Sequence, residues 1–174
     1  LEGSGSLVVH TAGPLDDLPA PSAGQELYDD FLPAAVRERP GHEKWFAVVD
    51  GRGRVRWTMT RNAEFDLLVL VARATPAAYL AYLRAEGISY LVAGQDRVDL
   101  GAALRRMRDR LGVTRVVSNA GGGLNGALLR AGLVDEIDLL VLPAAIGGQL
   151  TPAIFDGPPL GAGELPVALR LLDS

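Results

Sequence analysis

Three consecutive glycines, Gly121, Gly122 and Gly123, followed by Leu124 and Asn125, are the residues best placed to do chemistry in this chain. Lacking side chains, they leave backbone N–H groups bare. A helix starting at such a turn adds the positive end of its dipole. That combination suits an anion, as a phosphate or nucleotide site would require. Asn125 has a second reading as a cap of the following helix, and a cap can still line a phosphate site. The flanking residues supply the elements that would position the turn. Arg115-Val116-Val117-Ser118 reads as a short strand. Leu124, Leu128, Leu129 and Leu133 follow at helical spacing, and Ile137 to Leu142 forms a second apolar run stopped by Pro143. The spacing predicts a βαβ unit within Val113 to Gly148, with the glycine turn as its first loop.

The other chemically able residues are weaker candidates. Arg52, Arg54 and Arg56 crowd one turn. They fit either a solvated hairpin or a grip on a nucleotide phosphate, since arginine presents a planar fork of donors. Asp135-Glu136 fits an acid/base pair, or a strand start that orients the turn. His10 and His42 are the two histidines, with no metal-ligand spacing and no cysteine beside them, so no metal site is expected. The phosphate-binding GxxxxGK[ST] and the dinucleotide-binding GxGxxG patterns are absent, as is a GxSxG elbow. Ser118-Asn119-Ala120-Gly121 has a superficial likeness to short-chain dehydrogenases. Those enzymes place a lysine four residues after a tyrosine. Here Tyr28, Tyr79, Tyr82 and Tyr90 are followed at that distance by Leu32, Leu83, Glu86 and Gly94.

The remaining pattern sets out the scaffold. Leu1 to Ser6 reads as a flexible linker, or Leu1 to Thr11 as a strand behind a glycine turn, with Leu7 to His10 as its apolar part. Leu15 to Ala23 reads as a loop and Gln25 to Arg39 as a ragged helix ended by Pro40-Gly41. Trp45 to Val49 reads as a strand, Asp50 to Gly53 as a turn and Val55 to Met59 as a return strand. Phe65 to Ala72 is almost wholly apolar, as a strand covered on both faces must be. Pro76 opens a helix to Glu86, Ile88 to Ala93 is a buried strand, and Gly94-Gln95-Asp96 is a turn. Asp99 caps a helix to Leu111 that Gly112 ends. A Gly- and Pro-rich loop runs from Gly148 to Gly163, and Pro166 to Leu172 reads as a last strand. Alternating strands and helices predict an α/β fold with a mainly parallel sheet.

Composition narrows the function classes. The chain has 174 residues, 48% of them apolar, enough for a real core. A net charge of −4 with scattered arginines argues against nucleic acid. The apolar runs fall short of the roughly 18 residues that a membrane span needs, and a cysteine-free chain is compatible with a reducing cytoplasm.

Several blocks together resemble the reductase domain of the bifunctional riboflavin-biosynthesis deaminase–reductase, in the dihydrofolate-reductase-like superfamily. They are Gly121 to Leu129, Ala131 to Glu136, Pro143 and Gly147-Gly148. Upstream, Val48 to Arg54, Thr75-Pro76 and Ile88 to Leu100 carry the likeness, and downstream Ile154 to Gly157 does. It covers Glu26 to Leu172, which would make residues 26–174 the reductase domain and 1–25 a preceding strand or linker. The resemblance implies a three-layer α/β fold, a homodimer and NADPH as hydride donor. The implied reaction reduces the ribose of a phosphoribosylamino-pyrimidine to a ribityl chain. It further implies that Gly121 to Asn125 hold the cofactor's phosphates. Asp50, Arg52 and Arg54 would lie at its adenosine end, with an arginine near the 2′-phosphate, and Gly94 would line the cleft. Asn119 stands where the family has an acidic residue facing the substrate.

The chain departs from the family in its missing first strand, which carries a serine-leucine-aspartate-glycine turn. It also lacks the glycine-threonine stretch beyond the family's first helix. Asn119-Ala120 replaces a glutamate-glycine pair, and Leu1 to Val9 looks like the family's last strand, expected after Ser174. These departures leave a second expectation open: a non-catalytic member that kept the scaffold. No catalytic residue is assigned.

Overall fold

A computed structural model describes residues 1–8, 15, 17–21, 26–40, 44–145, 151 and 153–172. His10, His42 and Gly147-Gly148 lie outside the described residues. The chain divides into two compact units, Leu1–Asn119 and Ala120–Ser174.

The first unit is built on a four-stranded sheet in the order β1-β2-β3-β4, all parallel. These strands are Glu2–Gly3, Lys44–Val49, Phe65–Val71 and Ser89–Val92. β2 and β3 pair from Lys44 opposite Phe65 to Val49 opposite Leu70. The strand period of two sorts β3 onto two faces. Leu67, Val69 and Val71 pack with Tyr79, Leu80 and Leu83 of α2 (Ala77–Ala85). Leu68 and Leu70 pack with Ala103 and Met107 of α3 (Leu100–Leu111). Helix, sheet and helix therefore form the three layers of an α/β fold, and the apolar run at Phe65 to Ala72 is buried on both sides as expected.

Local chemistry explains where α3 begins and ends. The Asp99 carboxylate accepts the Ala102 N–H at 2.8 Å, and Gly112 closes the helix at φ 67°. α2 starts after Pro76, as expected.

Several expected elements differ. Gln25 to Arg39 is not one helix: α1 spans only Ala34–Arg37, after Pro33 in an extended conformation. Upstream, Phe31 forms an antiparallel bridge with Tyr90. The Tyr90 hydroxyl donates to the Leu27 carbonyl at 2.6 Å, and long-range bonds of this kind outweigh the weak helical pattern. Val55 to Met59 is not a return strand, because both edges of β2 are taken by parallel neighbours, β1 and β3. The strand near the N-terminus falls at Glu2–Gly3, opposite Val48 and Val49, rather than at Leu7-Val8. Ser4 is buried behind it, so these residues are not a free linker.

Arg115 to Ser118 forms no ladder. It lies alongside Leu1, whose terminal ammonium donates to the Val117 carbonyl at 2.6 Å. The second unit holds α4 (Gly122–Arg130). There Ile137 to Leu142 and Pro166 to Leu172 have no strand partner among the described residues, and Leu140 and Val141 are 87% and 85% exposed. A strand needs a neighbour for its N–H and C=O groups, and this unit has no β-ladder among its described residues.

Candidate functional site

The parallel strands of the first unit deliver three loops at their carboxyl ends, the edge where α/β sheets bind ligands. The loop after β2 carries Asp50, Arg52 and Arg54. Asp50 is 1% exposed. Its Oδ2 accepts the Arg54 N–H at 2.9 Å and the Val55 N–H at 3.0 Å, and the Tyr79 hydroxyl donates to it at 2.9 Å. The Asp50 carboxylate thus faces inward and shapes the loop. Burial, and then the neighbouring Asp50 charge, push the Tyr79 phenol far above its usual range.

The rest of the loop is pinned with similar care. Thr75 Oγ1 donates to the Gly51 carbonyl at 2.9 Å and accepts the Ala72 N–H at 3.0 Å. Gly53 has φ +64°, and a Cβ there would lie 2.7 Å from Cγ of Tyr79. Only glycine fits both that backbone and that floor. Arg52 and Arg54 are left exposed. Arg54 donates to Ser4 Oγ at 3.1 Å, whereas Arg56 pairs with Asp17.

The loops after β3 and β4 meet by backbone bonds, Arg73 N–H to the Gly94 carbonyl at 3.1 Å and Ala74 N–H to the Gln95 carbonyl at 2.8 Å. Gly94 has φ +91°, and a Cβ there would collide with the Arg97 carbonyl oxygen. A cleft of about 710 Å³ opens here, lined among others by Gly94, Gln95, Arg73, Tyr28 and Arg106. Asp50, Arg52 and Arg54 do not line it. Asn119, the last residue of the first unit, is exposed.

In the second unit the glycine turn opens α4 as expected. Gly121 is the N-cap, extended at φ −67° and ψ 165°, and no side chain caps it. The three glycines are not equivalent. A Cβ at Gly121 or Gly123 would meet open space, whereas one at Gly122 would collide with the Ala153 carbonyl oxygen and lie 2.6 Å from Asp156 Oδ2. Gly122 therefore lets the chain at Asp156 pass close, and the Asp156 N–H donates to the Gly122 carbonyl at 2.9 Å. Gly121 and Gly123 keep a face of the turn clear. Asn125 lies inside the helix, where its Nδ2 donates to the Ala120 carbonyl at 2.7 Å, and Leu124 is half-buried. Asp135 and Glu136 are both exposed. Among the described residues no three His, Cys, Asp or Glu side chains group as metal ligands.

A family model described as the RibD C-terminal domain matches residues 30–174, most of the chain. The chain belongs to the RibD C-terminal domain family. Curated proteins similar to it carry one printed name, 2,5-diamino-6-ribosylamino-4(3H)-pyrimidinone 5′-phosphate reductase. The protein of Methanothermobacter thermautotrophicus is 32% identical over 78% of this chain and 62% of its own length. That of Archaeoglobus fulgidus is 37% identical over 63% of this chain and 50% of its own length. That of Aquifex aeolicus is 27% identical over 54% and 42%. The chain thus spans about half the length of the curated relatives it matches.

For a RibD C-terminal domain, four residues at these loops escaped the sequence reading. Tyr79 entered only as a tyrosine with no lysine four residues on, and Trp57 only inside an expected return strand, because the pattern of a helix or strand does not reveal what a hydroxyl or indole N–H reaches. Thr75 was seen only as part of a family block. Arg73 had a usable signal, since it lies two residues past the end of β3, at the sheet's carboxyl edge.

Proposed function

We propose that this chain is an NADPH-dependent reductase of the riboflavin-biosynthesis type, acting on a phosphorylated ribosylamino-pyrimidine and converting its ribose to a ribityl chain. The single observation that carries the reading is the family match over residues 30–174, together with the reductase name shared by the relatives. The residues present fit a nicotinamide dinucleotide. A bare-backbone helix start with Gly121 and Gly123 open suits a phosphate, and Arg52 stands exposed on a rigid loop. When bound, the nicotinamide supplies the hydride.

The chain's own residues position and neutralise. In the second unit, backbone N–H groups at Gly121 to Gly123 would donate to phosphate oxygens, with Leu124 and Asn125 fixing the first helical turn. In the first unit, Arg52 and Arg54 would bind the adenosine 2′-phosphate. Asp50 acts on that group only by holding the loop, and Gly94, whose positive φ sets the tight turn after β4, would line the cofactor cleft. Asn119 would donate or accept a hydrogen bond on the substrate side. We take residues 26–174 as the reductase domain of a cytoplasmic homodimer. Exposed Leu139 to Leu142 are the kind of apolar surface that a second copy would cover.

The test is NADPH oxidation followed by absorbance, with 2,5-diamino-6-ribosylamino-4(3H)-pyrimidinone 5′-phosphate as substrate, the compound named for the relatives. Turnover that needs both reactants is expected. Binding of NADPH without any turnover would reduce the chain to a nucleotide-binding scaffold.

A further inference from the structure

We propose that Tyr79 is a positioning residue that sets the Asp50–Trp57 loop and so governs how Arg52 and Arg54 are presented to a phosphate. The inference rests on the reading that this loop meets the cofactor's 2′-phosphate.

The geometry converges on one side chain. Tyr79 is wholly buried on α2, yet it touches the loop at four places. Its hydroxyl lies 2.9 Å from Asp50 Oδ2 and 3.0 Å from the Val55 carbonyl, so one proton serves two acceptors at opposite ends of the loop. The hydroxyl oxygen accepts the Trp57 indole N–H at 2.9 Å. Its ring forms the floor on which Gly53 rests, the residue between the two arginines. Tyr82, three residues on along α2, accepts the Trp57 backbone N–H at 2.9 Å and closes the far end.

Without the hydroxyl, Asp50 would keep two N–H donors but lose its third partner. Its other oxygen, Oδ1, is already buried with no hydrogen bond among the described residues. A buried carboxylate in that state shifts until water or another donor reaches it. The loop would move with it, because Arg54 N and Val55 N hang from the same oxygen. An exposed arginine on a moving loop loses the fixed fork that makes phosphate recognition strong.

The experiment uses the full chain, titrated with NADPH and with NADH by fluorescence. Tyr79→Phe keeps the ring under Gly53 and deletes only the hydroxyl. It should weaken NADPH by about tenfold, the size of one impaired charge-assisted contact, and NADH by no more than about twofold. Loss of both nucleotides alike, or of neither, would overturn the inference, since a purely structural role predicts that pattern. Arg52→Ala and Arg54→Ala separate this inference from the reading beneath it. If neither changes the NADPH-to-NADH ratio, the loop does not meet the 2′-phosphate and both fall. If one does while Tyr79→Phe does not, the positioning role alone falls. Should Tyr79→Phe fail to fold, Trp57→Phe removes the indole donor at the same hydroxyl and carries the same expectation.

Discussion

One guanidinium nitrogen of Arg106 sits 2.9 Å from Oδ1 of Asp30 and 2.8 Å from its Oδ2. This pair ties the extended segment ahead of α1 to α3. Asp30 also accepts the Val92 N–H at 2.9 Å, at the carboxyl end of β4, and its side chain is only 4% exposed. The arginine is half in water and dispensable, whereas the carboxylate leaves a backbone donor stranded if it goes. Asp30→Ala should cost about 1–3 kcal/mol, the penalty of an unsatisfied buried group. Arg106→Ala should cost roughly 0–1 kcal/mol, because its guanidinium is half in water and Arg110 lies 3.8 Å from the same carboxylate. Urea unfolding of both variants checks the order, and equal losses would show that the ion pair itself holds the segment.

The sheet makes its own demand. Leu68 and Leu70 are fully buried on the face of β3 that meets α3. Leu68→Ala should cost about 2–5 kcal/mol, because the tightly packed sheet and helix cannot close over the cavity. A loss below about 1 kcal/mol in denaturant would mean that α3 is not packed there.

The two kinds of glycine in α4 can be separated. A Cβ at Gly126 would collide with the Asp156 carbonyl oxygen, so Gly126→Ala should displace that segment and lower the melting temperature. A Cβ at Gly123 meets open space, so Gly123→Ala should leave melting within a degree or so while weakening NADPH by about tenfold if phosphate approaches the bare backbone. Unchanged NADPH affinity in Gly123→Ala, at unchanged stability, would remove the phosphate from this face. Gly122→Val is a poor probe by comparison, since the Ala153 carbonyl and Asp156 already fill the space beside it.

Alkaline stability carries a sign. Tyr79, Tyr82 and Tyr90 all have phenols pushed above the ordinary range, chiefly by burial. The folded pKa values lie above the unfolded value of about 10, so folding binds the phenolic protons more tightly. Their contribution is whole below about pH 10 and is lost as pH climbs toward the folded values. Urea midpoints should therefore hold level from neutral pH and fall above about pH 10. A midpoint unchanged to about pH 11 would show that these hydroxyls are not shielded.

What the residues revealed, and what they hid, follows from the range of the forces involved. β3 was readable because a strand buried on both faces must be continuously apolar, and α3 because Asp99 and Gly112 mark its ends with local chemistry. Local patterning failed where distant residues decide. Leu27 and Phe31 have helical spacing, but they serve Tyr90 about sixty residues away, so the chain turns at Leu27-Tyr28 and bridges at Phe31 instead of forming a helix. Val55 to Met59 alternates like a strand, yet no edge of β2 is free to receive it. Arg115 to Ser118 and Ile137 to Leu142 have strand composition without a neighbouring ladder among the described residues. At the candidate site the glycine turn and the arginine loop were legible by type. The inward aim of Asp50, and the hydroxyl of Tyr79 that holds it, depend on contacts across 29 positions and were not.

The central claim is a nicotinamide nucleotide site, and equilibrium titration of the purified chain with NADPH, beside NADH, tests it most directly. Saturable binding that favours NADPH, and that weakens in Arg52→Ala or Arg54→Ala, is the result expected here. No binding at nucleotide concentrations on the order of millimolar would contradict it and leave this RibD C-terminal domain without the cofactor assigned to it.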